Sequence, residues 1–230
     1  MTTPEPITRR ACLGAAGVTA ASALAGCLDM IPFVGDDPLR FEAKPASVPT
    51  NVLEETGYEE HEIGEMTVTE TFEAAGQSQD VEVTNWLSEY DRALDLGPLD
   101  VILEERVQAA VFTALSTPQV DVLGQTFNPV GDMSPREIAD MLQDHYEDFE
   151  DLEQVDETEA TLAGQTTDVA EFETRAELLP AGMTIDLTLH IAAAVESGDD
   201  FIIGIGGHPS VLDDEREHIY TLFAAVEHER

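Results

Sequence analysis

Apolar and polar residues alternate along the second half of the chain. From Met183 to Val195 every second residue is apolar. A period of two is typical of a half-buried β-strand, with one face toward the core and one toward solvent. Two further runs, Val107–Leu115 and Phe201–Ile205, are apolar on both faces, which favours central strands. The polar face of the alternating strand is predicted to hold Thr184, Asp186, Thr188 and His190.

Three segments carry helix signals. Ser134–Glu137 has the order of a capping box with proline at the first helical position, and the apolar residues after it recur at helical spacing. This pattern predicts a helix over Pro135–Glu150. A second helix, capped by an aspartate, is predicted over Asp213–His228 and closes the chain. A shorter one is predicted over Asn51–Thr56, stopped by Gly57.

A short Gly-Gln motif recurs three times between strand-like arms. Its copies are Ala75–Ser78, Leu123–Thr126 and Ala163–Thr166. Glycine tolerates the positive φ that tight hairpin turns require. The repetition therefore predicts three β-hairpins. A functional alternative, in which the three tips assemble one polar ligand patch, stays open.

Together these elements predict an α+β fold. An antiparallel sheet with helices before, within and after it favours an α/β/α sandwich, in which helices cover the faces of the sheet. No linker rich in proline, serine or glycine divides the sequence after residue 38. We therefore predict one α+β domain over residues 39–230.

The N-terminal 27 residues have the pattern of an export signal. Arg9 and Arg10 precede a mild apolar stretch that ends at Leu24-Ala25-Gly26-Cys27. Paired arginines suit the twin-arginine route, and the closing box suits lipid attachment to its cysteine. We predict a signal peptide over residues 1–26, a lipid on Cys27 and a spacer over residues 27–38. The alternatives are an uncleaved N-terminal anchor or a chance match to the signal pattern.

The charge balance of the chain indicates the salt concentration and the kinds of partner that suit the protein. The chain has 48 acidic and 10 basic residues, a formal net charge of −38. At molar salt the screening length is about 3 Å, which removes most of the self-repulsion. The composition therefore predicts a salt-adapted protein. Nucleic acid binding is excluded because no basic stripe is present, and an anionic membrane surface would repel the chain, so membrane contact is expected only through the covalent lipid.

Two resemblances extend this interpretation. The segments Val107–Phe112, Ser116–Pro118 and Phe127–Pro129, together with the twin-arginine lipobox, resemble an uncharacterised family of haloarchaeal lipoproteins. The order of Phe201–Ile205, His208-Pro209 and the closing helix is similar to the α/β/α sandwich of the PsbP family of photosystem II extrinsic proteins. These resemblances imply a binding or assembly role, and neither brings a catalytic motif onto this chain.

Few residues in the sequence suggest catalysis or the binding of a metal or cofactor. His190, His208 and His218, with nearby carboxylates, would suit a metal, but their spacing matches no ligand motif. Gly204–Gly207 lacks the pattern of a phosphate loop, and close packing on the sheet explains the small residues there. Nucleophile motifs are missing, so a catalytic triad would have to come from dispersed residues. We predict no catalytic, cofactor-binding or metal-binding residues.

The sequence therefore predicts a non-enzymatic binding or assembly module. We expect a lipid-anchored protein on the outer face of the cell membrane, exported by the twin-arginine route. Its expected partner is another envelope protein or the cell-surface layer. The alternative is an envelope metal-dependent hydrolase that uses His190, His208 and carboxylates. The sequence leaves the ligand and the oligomeric state open.

Overall fold

A computed structural model describes residues 37–74, 77–93, 108–122, 125–126, 129–145, 150–178, 183–212 and 214–229. These residues fall into two compact units. One contains residues 37–39 and Glu70–Val81, and the other contains Arg40–Thr69 and the chain from Glu82 onward. The single domain over residues 39–230 stays a prediction. The predicted signal peptide, Cys27 and all but the last two residues of the spacer lie outside the described residues.

Strands dominate the described chain and three helices interrupt them. The strands are β1 (Leu39–Glu42), β2 (Ala46–Ser47), β3 (Glu59–Ala74), β4 (Gln77–Ala93), β5 (Gln108–Pro118), β6 (Asp121–Val122), β7 (Gln125–Thr126), β8 (Glu150–Leu162), β9 (Gln165–Leu178), β10 (Met183–Ala192), β11 (Val195–Ser197), β12 (Asp200–Pro209) and β13 (Glu227–His228). The helices are α1 (Thr50–Thr56), α2 (Pro135–His145) and α3 (Glu215–Ala225), with a 3-10 turn at Pro129–Asp132. The chain is thus mixed α and β with a large sheet. Among the described residues, no helix is long and apolar enough to cross a membrane.

The main sheet has the strand order β1-β4-β5-β12-β10-β9-β8, with β3 also paired to β4 and β11 to β12. Each neighbouring pair from β4 to β8 in this order is antiparallel. Nine of the ten residues of β12 are buried, which confirms the central strand predicted from Phe201–Ile205. Two smaller sheets pair β2 with β13 and β6 with β7.

The three Gly-Gln segments each lie between paired strands, as predicted. β3 pairs with β4, β6 with β7, and β8 with β9. At the third tip Ala163 and Gly164 have φ angles of 48° and 76°, the sign that a primed two-residue turn requires. The first two tips lie outside the described residues, so the shared ligand patch stays a hypothesis.

Helix α2 begins at the predicted Pro135, and α1 begins one residue before the predicted Asn51. Helix α3 begins at Glu215, after Asp214, whose side chain makes no capping hydrogen bond, and both α2 and α3 end earlier than predicted. The amide of Glu137 donates to Ser134 Oγ at 3.3 Å and the amide of Ser134 donates to Glu137 Oε2 at 2.8 Å, which confirms the capping box of α2. That helix ends at His145 and not at the predicted Glu150, because Glu150 pairs with β9. The prediction that α3 reaches His228 is also wrong, because Glu227 and His228 pair with β2.

Two apolar clusters form the core of the larger unit. The first joins α1 and α3 to sheet residues that include Phe112 and Ile202. The second joins α2 to sheet residues that include Phe172 and Ile203. Neighbouring residues of a strand point to opposite faces of its sheet. The adjacent residues Ile202 and Ile203 of β12 therefore supply different clusters.

Helix α3 lies directly on the backbone of β12. A Cβ atom added at Gly204 would lie 2.5 Å from Phe223 Cε1, and one added at Gly206 would lie 2.5 Å from Ile219 Cγ2. Both distances are shorter than atoms of neighbouring side chains allow. The close packing that the sequence suggested for these glycines is confirmed.

The smaller unit has polar contacts of its own. The hydroxyl of Thr71 donates to Asp80 Oδ1 at 2.7 Å. Gln79 is 3% exposed, and its amide Nε2 donates to the carbonyl oxygen of Asp37 at 2.9 Å. These bonds link the ends of β3 and β4 that belong to this unit and join residue 37 to β4.

Substituting Gly206→Ala tests the close packing of α3. The added methyl group forces the helix away from β12, and we expect the free energy of unfolding to fall by about 1–3 kcal/mol. Urea unfolding at molar salt measures the change. Gly64→Ala is the matched control, because a Cβ there meets nothing closer than Glu62 Oε1, at 3.4 Å on a flexible side chain. Equal stability of the two variants would contradict the packing.

Candidate functional site

His190 and His208 meet on neighbouring strands. His190 pairs with Gly206 and His208 with Thr188 in the β10–β12 register, so both imidazoles lie on one face of the sheet. Their Nε2 atoms are 3.1 Å apart and their rings stack with centroids 5.3 Å apart. Of the three histidines considered for a metal, the structure brings these two together.

The hydrogen bonds define where the protons lie. His208 Nδ1 is 2.9 Å from the carbonyl oxygen of Pro209, which only accepts, so Nδ1 carries a hydrogen. In a neutral His208 ring Nε2 then accepts, and His190 Nε2 donates to it. His190 Nδ1 is left with a lone pair, 3.6 Å from Glu171 Oε2. The hydrogen bonds therefore run in one direction, with His190 donating to His208 and His208 donating to the backbone.

Helix α3 covers this pair with Arg216 and Tyr220. The Tyr220 ring meets the His190 ring edge to face, with centroids 5.5 Å apart. Arg216 Nε lies 3.3 Å from Glu171 Oε2 and its Nη2 lies 3.2 Å from Asp156 Oδ2. His190 has no exposed surface. Its predicted place on a polar, solvent-facing strand face is therefore wrong, because α3 closes over that face.

Burial sets the charge state of His190. Burial first, and then the neighbouring His208 and Arg216, lower the pKa of His190 to about 3. The Glu171 carboxylate does not offset this effect because Arg216 already pairs with it. His190 is thus neutral at pH 7. A neutral imidazole is the form that binds metals, but this one is enclosed by protein.

His218 belongs to a different network on the same helix. Its Nδ1 accepts a hydrogen bond from Arg92 Nη1 at 2.9 Å, and Arg92 also pairs with the buried carboxylate of Glu215. The Tyr58 hydroxyl donates to Glu215 Oε2 at 3.2 Å. Burial and the Glu215 charge raise the pKa of Tyr58, so it stays a donor. This network joins the start of α3 to β4 and to Tyr58, two residues after α1.

No metal-binding group emerges from the part of the chain that the structure describes. Within it, no three side chains of histidine, cysteine, aspartate or glutamate are grouped so that they could hold a metal ion. His190 and His208 have Glu171 near them, but Arg216 occupies that carboxylate. Arg9, Arg10, Leu24-Ala25-Gly26 and Cys27, the residues predicted for export and lipid attachment, lie outside the described residues.

One family model matches most of the chain. It is DUF6517, described as a domain of unknown function, and it matches residues 45–227. The chain belongs to the DUF6517 family. The matched span of the DUF6517 domain includes the His190 and His208 pair and the whole of α3. Comparisons with curated proteins and with solved structures found no match.

The burial of His190 predicts a pH dependence. Between its folded pKa of about 3 and the usual imidazole value of about 6.5, the unfolded chain binds a proton that the folded chain does not. Protonation of the unfolded chain therefore lowers the free energy of unfolding as the pH falls below about 6.5, and has little effect above that pH. Between pH 7 and pH 5 we expect the wild type to lose about 2 kcal/mol more than His190→Asn. Urea unfolding at both pH values measures this difference, and equal losses would contradict it.

Proposed function

We propose that the DUF6517 domain is the folded part of a haloarchaeal lipoprotein exported by the twin-arginine route. Arg9, Arg10 and the box Leu24-Ala25-Gly26-Cys27 support this proposal because their order suits export followed by lipid attachment. The net charge of −38 supports a high-salt setting, where screening removes most of the self-repulsion. The lipid on Cys27 then holds the domain on the outer face of the membrane.

We also propose the α/β/α sandwich arrangement of the PsbP family. The two apolar clusters support it. One contains α1 and α3 with Ile202, and the other contains α2 with Ile203. Because these neighbouring residues of β12 face opposite sides, helices on both faces of the sheet account for the two clusters.

The role that we propose is that of a binding or assembly module for an envelope partner. The enclosed state of His190 and His208 argues against the alternative, a metal-dependent hydrolase at these residues. His190 has no exposed surface, His208 is 4% exposed, and the Tyr220 ring of α3 packs edge to face on His190. Their hydrogen bond to each other joins β10 to β12, and the bond to Pro209 lies within β12.

The observation that carries the binding role is an apolar pair on β3. Met66 is 44% exposed and Val68 is 40% exposed, and as alternate residues of a strand they share a face. Within the described residues β3 pairs with β4 alone, which leaves its other edge open to a further strand. We place the partner on this β3 patch, Met66 and Val68, by strand addition.

Cell-surface crosslinking with fractionation tests both parts of the proposal. Cys27→Ser is expected to move the protein from the envelope fraction to the medium, because the lipid anchor is lost. The double variant Met66→Glu and Val68→Glu is expected to stay in the envelope but to lose most of its crosslinked partner. Val211→Glu is the matched control, because Val211 is 81% exposed and distant in sequence from β3.

The lipid anchor and the β3 patch can be refuted independently of each other. Undiminished envelope association of Cys27→Ser would refute the lipid anchor. Equal partner yields from the β3 double variant and the Val211 control would refute the β3 patch. Circular dichroism at molar salt confirms that each variant is folded.

A further inference from the structure

Ser197, His228 and Asp200 form a hydrogen-bonded row where β11 and β12 meet the closing strand β13. Ser197 Oγ is 3.0 Å from His228 Nδ1, and His228 Nε2 is 3.1 Å from Asp200 Oδ2. Ser197 is 6% exposed and Asp200 is 5% exposed. None of these side chains takes part in the His190–His208 pair or in the network of His218. A serine, an imidazole and a carboxylate in this order are the parts of a nucleophile with its general base.

The backbone of Lys44 fixes the tautomer of His228. His228 Nε2 faces two groups that can only accept, Asp200 Oδ2 and the carbonyl oxygen of Lys44 at 3.2 Å. The ring hydrogen therefore lies on Nε2. The lone pair of the neutral ring lies on Nδ1 and receives the hydrogen bond of the Ser197 hydroxyl. The amide of Lys44 in turn donates to Asp200 Oδ2 at 2.9 Å, which holds the carboxylate in place.

This row opens onto a cavity. Ser197 and His228 line a cavity of about 670 Å³, a size that accommodates a small organic molecule. A Cβ added at Gly164, on the same wall, would meet nothing within 4 Å, so there is room above the hairpin tip. Ala163 beside it has a φ of 48°, the one positive φ of a non-glycine residue in the described chain, and its amide donates to the carbonyl oxygen of Phe223. The hairpin tip is thus held against the end of α3.

The walls of the cavity select for a neutral substrate. Its lining contains one acidic side chain, Glu227, and no lysine or arginine, so an anionic substrate would find no counter-charge. Asn51 is on the rim with an amide that can donate to a carbonyl oxygen. Most of the remaining wall residues are small and leave room for a short acyl chain, although the exposed surface of the lining is slightly more polar than apolar. Apolar wall residues include Pro49, Val52, Ala163, Ala225 and Val226.

We propose that Ser197 is the nucleophile of a site that hydrolyses neutral carboxylic esters of short acyl chains. His228 Nδ1 takes the hydroxyl proton as Ser197 Oγ forms a bond to the ester carbonyl carbon. The carbon–oxygen bond to the alcohol then breaks, and the alcohol leaves with the proton from His228. Water, deprotonated by His228, attacks the acyl-serine, releases the acid and restores the Ser197 hydroxyl. Asp200 orients the imidazole through Nε2 and stabilises its charged form.

The inference goes beyond the proposed binding role and departs from the expectation of a non-enzymatic chain. Its site involves neither the β3 patch nor Cys27. A failure of the ester site and a failure of partner binding are therefore distinguishable.

Labelling with a fluorophosphonate, which phosphonylates activated serines with loss of fluoride, tests the nucleophile. The experiment uses the full chain with Cys27→Ser, purified at molar salt, and mass spectrometry of its peptides. We expect one label on Ser197, and hydrolysis of p-nitrophenyl butyrate that falls at least about 100-fold in Ser197→Ala and in Asp200→Asn. Ser210→Ala, a partly buried serine that bonds Thr188, is the matched control and keeps both activities.

The labelling result also decides between catalysis and a purely structural clamp. Folded wild type without a label on Ser197 would overturn the proposal, and so would butyrate hydrolysis that is unchanged in Ser197→Ala. A loss of unfolding free energy in Ser197→Ala without labelling of the wild type would assign the row to stability alone. If His228→Gln or Asp200→Asn fails to fold, the label on the wild type still decides.

Discussion

The close contact between α3 and the backbone of β12 is the constraint on which the rest of the structure depends. Gly204 and Gly206 remove the side chains that would keep the helix away. With the helix at this distance, its N-terminal carboxylate Glu215 reaches Arg92, Tyr220 covers His190, and the chain that leaves its C-terminus carries His228 to Ser197. Three buried polar networks therefore share one packing contact.

These networks fit a chain with very few basic residues. A net charge of −38 favours expansion of the chain, and only apolar burial and well-placed cations oppose it. Arg92 pairs with a carboxylate that is 4% exposed, and Arg216 pairs with Glu171 and Asp156 over the histidines. A buried carboxylate without its partner is strongly destabilising. Arg92 and Arg216 thus lie where the packing of α3 brings acidic side chains together.

Local rules predicted much of the fold. The capping box at Ser134, the alternation in β10 and the three Gly-Gln hairpins depend on residues close in sequence, and the structure contains all of them. The predictions were wrong where the local structure depends on a partner that is distant in sequence. The chain after Ala225 pairs with β2, far away in sequence, and so it leaves the helix. His190 occupies a polar strand position but is buried, because the helix that covers it begins 25 residues later.

The candidate sites could not be predicted from the sequence because their residues are also far apart in sequence. His190 and His208 are 18 residues apart, and Ser197 and His228 are 31 residues apart, with no motif between them. One signal in the sequence could have indicated these sites. The glycines of β12 let a helix approach the sheet closely, and such a helix also covers the polar residues that lie beside the glycines.

Native-state hydrogen exchange tests how far the structure depends on the packing of α3. We expect the amides of Ile219–Phe223 and of Ile202–Gly206 to open with the same free energy, that of global unfolding. Exchange of α3 through a much cheaper local opening, with β12 still protected, would contradict it.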